Sequence, residues 1–175
     1  MPNTYWVVPG RILAGEYPGG ADPAETRLRL DKLRGAGVDR CIDLTEEGEL
    51  PPYAHLLPKN IEYLRSAIVD CSVPYNVSQT RDLLSSLHSA LAQDRCVYVH
   101  CRAGIGRTGV IMGCFLADRE SNGRTALKIL NRAWRQSERA AIWPLVPQTA
   151  EQADYVRHWP RLSQKRETGS RPPVQ

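Results

Sequence analysis

Residues 97–113 read VYVHCRAGIGRTGVIMG, and the fold is decided there. Val97 to His100 is a short β-rich run, and the segment from Thr108 to Ala117, TGVIMGCFLA, is apolar nearly all round. Such a segment predicts a centrally buried helix, with Gly109 and Gly113 allowing close packing on one face. A strand, a tight glycine-containing loop and a buried helix, in that order, aim consecutive backbone N–H groups at one point. The helix N-terminus adds its partial positive charge there. Gly104 and Gly106 permit backbone shapes that a side chain would hinder, and Arg107 supplies a planar fork matched to two oxygens at once. The loop from Arg102 through Ala103, Gly104, Ile105 and Gly106 to Arg107 therefore suits a tetrahedral oxyanion such as phosphate.

Cys101 stands at the entrance to that cradle. An ordinary thiol titrates near ~8.5, but helix N-termini and nearby cations bring such groups down to ~3.5–7.5. The position predicts a nucleophilic thiolate. His100, just before it, is placed to fix the loop through hydrogen bonds, and the Thr108 hydroxyl to donate to the sulfur.

Outward from this loop, strands and helices alternate. Residues 5–15, YWVVPGRILAG, predict two short strands around Pro9-Gly10. A helix follows from Asp22 as N-cap and Pro23 as first helical residue to a closing glycine. Further strands are expected at Val38–Leu44 and Ile61–Val69, separated by the acidic loop TEEGELPP. Between Val77 and Gln93, Leu83, Leu84, Leu87, Ala90 and Leu91 fall at helical spacing. The alternation predicts an α/β fold, a central, mostly parallel sheet flanked by helices.

At 175 residues the chain suits one domain, placed at 1–159, with a basic, disordered tail at 160–175. That tail carries four basic residues and one acid, or three of the formal net charge of +4, so the charge argues for no nucleic-acid partner. No run approaches the ~20 apolar residues of a membrane span, and no signal-peptide pattern opens the sequence, so a cytoplasmic protein is expected. Five cysteines, Cys41, Cys71, Cys96, Cys101 and Cys114, lack zinc-site spacing and predict reduced, mostly buried thiols. No metal and no cofactor is called for.

The ten residues His100-Cys101-Arg102-Ala103-Gly104-Ile105-Gly106-Arg107-Thr108-Gly109 fit the pattern H-C-x-x-G-x-x-R-[ST]-G throughout. In this the sequence resembles the cysteine-dependent protein tyrosine phosphatase superfamily, including the dual-specificity phosphatases. The resemblance implies a general-acid aspartate on a loop about thirty residues before the cysteine. Asp70, with Pro74 after it, lies thirty-one before Cys101. It also implies a downstream Q-T-x-x-Q segment that positions the hydrolytic water. Gln148-Thr149-Ala150-Glu151-Gln152 matches it, with Gln148 the expected residue and Gln152 the alternative. With GRILAGEYPG near the start, the likeness covers residues 5 to 158. The acid loop opens Val69-Asp70 rather than Trp-Pro-Asp, and no early tyrosine-recognition loop is present. The compact dual-specificity branch and a shallower pocket are therefore expected.

The implied activity is phosphomonoester hydrolysis through a phosphocysteine, on a phosphorylated protein (phosphotyrosine, with phosphoserine and phosphothreonine). Phosphoinositide, inositol polyphosphate or RNA 5′-phosphate substrates, and a non-catalytic phosphoprotein-binding module, are the alternatives. Asp43, Glu46 and Glu47 compete with Asp70 for the acid role. Cys71 is either a plain loop thiol or the partner of an oxidised Cys101. Arg124, Lys128, Arg132, Arg135 and Arg139 form one helical stripe, either a solvated face or a docking surface for an acidic partner.

Overall fold

A computed structural model describes residue 1 and residues 3–164. Strands β1 (Thr4–Val8), β2 (Ile12–Gly15), β3 (Arg40–Asp43), β4 (Glu62–Arg65) and β5 (Val97–His100) form one sheet in the order β1-β2-β5-β3-β4. The turn at Pro9-Gly10, where Gly10 takes φ 69°, makes β1 and β2 an antiparallel hairpin. The pairings β2–β5, β5–β3 and β3–β4 are parallel. The sheet is thus mixed, mostly parallel, as expected.

Side chains that alternate along the strands separate two apolar layers. Ile12, Ala14, Ile42, Val97 and Val99 face helices α2 (Val77–Ala92), α3 (Gly106–Glu120), α4 (Gly123–Trp134) and α5 (Ala150–Leu162). Leu13, Cys41 and Tyr98 face Leu30 and Leu33 of α1 (Pro23–Gly35) together with Tyr53 and Ile61. Every residue of α3 from Gly106 to Ala117 is buried, so this helix is the centre of its layer. Close approach explains two glycines. A Cβ on Gly113 would come within 2.7 Å of the Val156 side chain, and one on Gly123 within 2.3 Å of the Val156 carbonyl oxygen.

Short polar side chains close the helix starts as their types predict. Asp22 accepts from the Glu25 N–H and Asn76 from Gln79. Thr149 and Gln152 form a reciprocal capping box on α5.

Three expectations change. Strand β4 is shorter than Ile61–Val69, because its neighbour β3 ends at Asp43. Beyond Arg65 the chain holds on only through Ser66 N–H to the Asp43 carbonyl (2.9 Å) and Ile68 N–H to that of Leu44 (3.0 Å). The basic stripe is not one helical face. Helix α4 stops at Trp134, leaving Arg124, Lys128 and Arg132 exposed on it and Arg135 at its end. Arg139 sits in a separate 3-10 turn, paired with Glu16 at 2.7 Å. The start of the expected tail, Pro160 to Leu162, is helical as the last turn of α5, anchored by Trp159, which is buried and donates to Asp118 (2.7 Å). The rest of that tail from 165 onward lies outside the described residues. Among the described residues no helix is long and apolar enough to cross a membrane.

A polar cluster is sealed beneath the ends of β3 and β5. The His100 ring meets the Tyr53 hydroxyl at Nε2 (2.6 Å), and its Nδ1 lies 3.4 Å from the Cys101 carbonyl and 3.9 Å from Asp43. Burial of the whole ring pulls its pKa down to about 4, against the opposing pull of Asp43.

Two outcomes follow from this packing. Gly123→Ala should lower stability by ~1–3 kcal/mol through overpacking against backbone, while Gly35→Ala, which meets no atom within 4 Å, should be neutral or gain up to ~1 kcal/mol. Urea midpoints at unchanged slope measure both, and equal effects would refute the packing account. In the folded state His100 refuses the proton that the unfolded chain accepts below about 6.5. Its share of stability is therefore complete above that pH and falls as pH drops toward about 4. Urea midpoints followed across that window should decline less steeply in His100→Asn; the same slope in both proteins removes His100 as the source.

Candidate active site

Parallel strands deliver their C-terminal ends to one edge of the sheet, and β5 lies in the middle of it. Cys101 follows β5 directly and is buried to 3 % exposure. The loop after it is held from several sides. The Tyr17 N–H donates to the Arg102 carbonyl (3.1 Å), the Leu44 N–H to that of His100 (2.9 Å), and the Tyr5 hydroxyl to that of Gly104 (3.5 Å). Gly104 has φ 75°, and a Cβ there would lie 2.5 Å from the Gly15 carbonyl carbon. No other residue type fits that position without moving β2.

Ile105 precedes α3 and offers no side-chain cap, unlike the starts of α1, α2, α4 and α5. The first N–H groups of α3 thus keep their capacity for an external anion. Thr108, in that first turn, is fully buried, and its hydroxyl oxygen has no protein partner.

Arg107 is the most constrained group of the site, at 1 % exposure. Its Nη1 and Nη2 donate to the two carboxylate oxygens of Glu49 at 2.6 and 2.7 Å, Nη1 also to the Ile68 carbonyl (3.1 Å), and Nη2 lies 2.9 Å from Asp70. Its buried Nε has no partner among the described residues. The unsatisfied Nε and the uncapped amides are donors available to a bound oxyanion. The Glu49 carboxyl is drawn down to about 2, first by its hydrogen bonds from Arg107, with burial opposing. Arg102 reaches the same carboxylate, Nε to Oε1 at 3.2 Å.

Asp70, Cys101, Arg102, Ala103, Ile105, Gly106, Arg107, Trp143 and Gln148 line a pocket of about 170 Å³. The structure thus brings together the expected nucleophile, loop, arginine, aspartate and glutamine. Of the two glutamines, Gln152 is fully buried and committed, bonded to Thr149 and donating to the Ser72 carbonyl (2.8 Å). Gln148 is exposed at the pocket, its amide 3.5 Å from Cys71 Sγ. Asp43 is buried beneath the site, bonded to Thr45, Tyr63 and Arg65, and Glu46 and Glu47 are exposed and do not line the pocket. Cys71, next to Asp70, is exposed and takes φ 58°.

Two site residues escape a reading of the sequence. Glu49 stands in an acidic loop beside Glu46 and Glu47, and nothing in its letters separates it from them. Trp143 falls between the elements, in a segment without periodicity.

Known proteins resemble this chain in sequence and in fold. The model of the family described as PTP-SAK: Swiss Army Knife protein, DSP-PTPase phosphatase domain, matches residues 1–155. "Putative tyrosine phosphatase 067L" of Invertebrate iridescent virus 3 is 31% identical over 122 residues, covering 67% of this chain and 47% of the viral one. "Dual specificity protein phosphatase CDC14AB" of Danio rerio is 26% identical over 118 residues, 63% of this chain and 18% of the fish protein. The chain spans less than half the length of either. Among solved structures, Tk-PTP in the active form superposes with a TM-score of 0.74 at 23% identity, over 91% of this chain and 97% of that one; it shares the fold. On the family match, which spans nearly the whole described structure, the chain belongs to the cysteine-dependent protein tyrosine phosphatase superfamily, as a phosphatase domain of the dual-specificity type.

Proposed function

We propose that the chain hydrolyses phosphomonoesters on proteins through a phosphocysteine intermediate. The observation that carries this is one pocket lined by Cys101, Arg107 and Asp70, with the last two in contact at 2.9 Å. In the first step Cys101 Sγ attacks phosphorus, the P–O bond to the leaving group breaks, and Asp70 gives its proton to the departing oxygen. In the second, water attacks phosphorus, the P–S bond breaks, and Asp70 takes the water's proton while Gln148 orients the water. The equatorial oxygens accept from the Arg107 fork and the loop N–H groups from Arg102 to Arg107, which meet the developing charge with dipoles already in place. His100 acts from behind by fixing the loop carbonyl, and Thr108 offers its hydroxyl to the sulfur.

The charge balance bears on the substrate. Glu49 binds both arginines of the loop, so Arg102 is no free cation for a second phosphate. That favours a singly phosphorylated protein side chain over an inositol polyphosphate. Five free cysteines, one of them the nucleophile, suit a reducing, cytoplasmic setting.

Phosphate release from phosphopeptides, abolished in Cys101→Ser, tests the reading; release that survives this change defeats it. Asp70→Asn should slow phosphotyrosine hydrolysis by ~10²–10⁴-fold yet cost little with an activated nitrophenyl ester, because a poor leaving group needs the proton and a good one does not. Equal losses on both substrates would place the acid elsewhere. Arg107→Lys should lose about 10²-fold or more in kcat/KM, since a point charge cannot copy the fork. Glu49→Gln should lose roughly 10- to 100-fold, the scale of a charge-assisted hydrogen bond. Steady-state rates close to wild type in the Glu49 variant would reduce that ion pair to a bystander.

A further inference from the structure

We propose that Trp143 selects the leaving group: its indole is a side wall against which the ring of an aryl phosphate seats, so that phosphotyrosine is preferred to phosphoserine and phosphothreonine. The proposal rests on the phosphatase reading above and adds to it a specificity residue that lies outside the signature loop, the acid loop and the glutamine segment.

Position comes first. Among the residues lining the pocket, Trp143 is the one aromatic side chain. With the phosphoryl group on the Cys101 loop and the leaving oxygen at Asp70, the carbon skeleton of the leaving group must pass out between Asp70 and the segment from Trp143 to Gln148. A phenol ring there offers a face or an edge to the indole, with the quadrupole and apolar contact that aromatic pairs share. The single methylene or methine of a phosphorylated serine or threonine offers almost none.

Rigidity comes second. The Trp143 N–H donates to the Arg139 carbonyl (2.7 Å), and its own carbonyl accepts from Nε1 of Trp134 at 2.7 Å. Trp134 is completely buried in the core. Three residues on, the Asn131 side chain bonds both the N–H (2.9 Å) and the carbonyl (2.7 Å) of Val146. The backbone beneath Trp143 is thus tied at both ends before any substrate arrives. A wall held in this way loses little freedom on binding.

Exposure comes third. Ile142 is 87%, Trp143 40% and Leu145 65% exposed, and Val69, next to Asp70 in the chain, is 60% exposed. Three large apolar side chains within four residues are turned to solvent in the segment that carries Trp143 to the pocket, as is common at recognition surfaces. Asp70, Arg102 and Arg107 give the pocket its charge, whereas the segment around Trp143 is apolar. A phosphorylated aromatic side chain has the same division.

The test uses the whole chain and two peptides of one sequence, phosphorylated on tyrosine or on threonine at the same position, with kcat/KM measured for each. The wild type should prefer the phosphotyrosine peptide. In Trp143→Ala the ratio of the two kcat/KM values should fall by about tenfold, the scale of one lost aromatic contact together with its buried area, and Trp143→Phe should recover most of it. Because the ratio is taken on one preparation, it is insensitive to the fraction folded. An active enzyme whose ratio is unchanged in Trp143→Ala overturns the role of Trp143 and leaves the phosphatase reading standing, as does a wild type that prefers phosphothreonine. A wild type that releases phosphate from neither peptide overturns both.

Discussion

A guanidinium almost entirely removed from water holds the catalytic edge of this molecule together. Isolated burial of such a charge costs several kcal/mol, roughly, and it is tolerated only where partners replace its hydration. Arg107, in the first turn of α3, finds these partners in two other segments. Glu49 comes from the loop after β3, and the Ile68 carbonyl and Asp70 from the chain after β4. Each of these segments is short of regular secondary structure. The shared arginine makes them one surface.

The sheet makes this convergence possible. β5, β3 and β4 run parallel and adjacent, so their C-terminal ends emerge side by side, and the loops that leave them face a common point. Close backbone packing does the rest. Gly104 lets the loop press against the end of β2, and the buried His100–Tyr53 pair ties the strand end to the segment after Glu49. Many of the bonds that fix the site therefore come from outside the ten-residue signature.

Charge placement at the pocket has a chemical meaning of its own. Two arginines and two carboxylates meet there, so that their charges offset one another. Asp70 shares an Arg107 nitrogen with the same fork a phosphate would use.

Much of this was written in the letters. A short β-rich run marks Val97 to His100 as a strand, and its residues are buried on both faces. The all-round apolar run after Thr108 defines a central helix, and Asp22 and Pro23 mark a helix start, because these are local constraints of period, capping and backbone freedom. Cys101, Arg107 and the loop between them are legible for the same reason, since strand, turn and helix N-terminus are contiguous in sequence. Asp70 and Gln148 were reached through a resemblance, and both line the pocket with Cys101, while Gln152 is buried in a helix cap. The choice of Glu49 over Glu46 and Glu47, the turn that brings Trp143 to the pocket, and the break of the basic stripe at Trp134 were decided only by the tertiary structure. Each depends on contacts that no local pattern announces: Glu49 with Arg107, the buried Trp134 indole with the Trp143 carbonyl, Arg139 with Glu16. No local pattern encodes a partner that folding alone brings within reach.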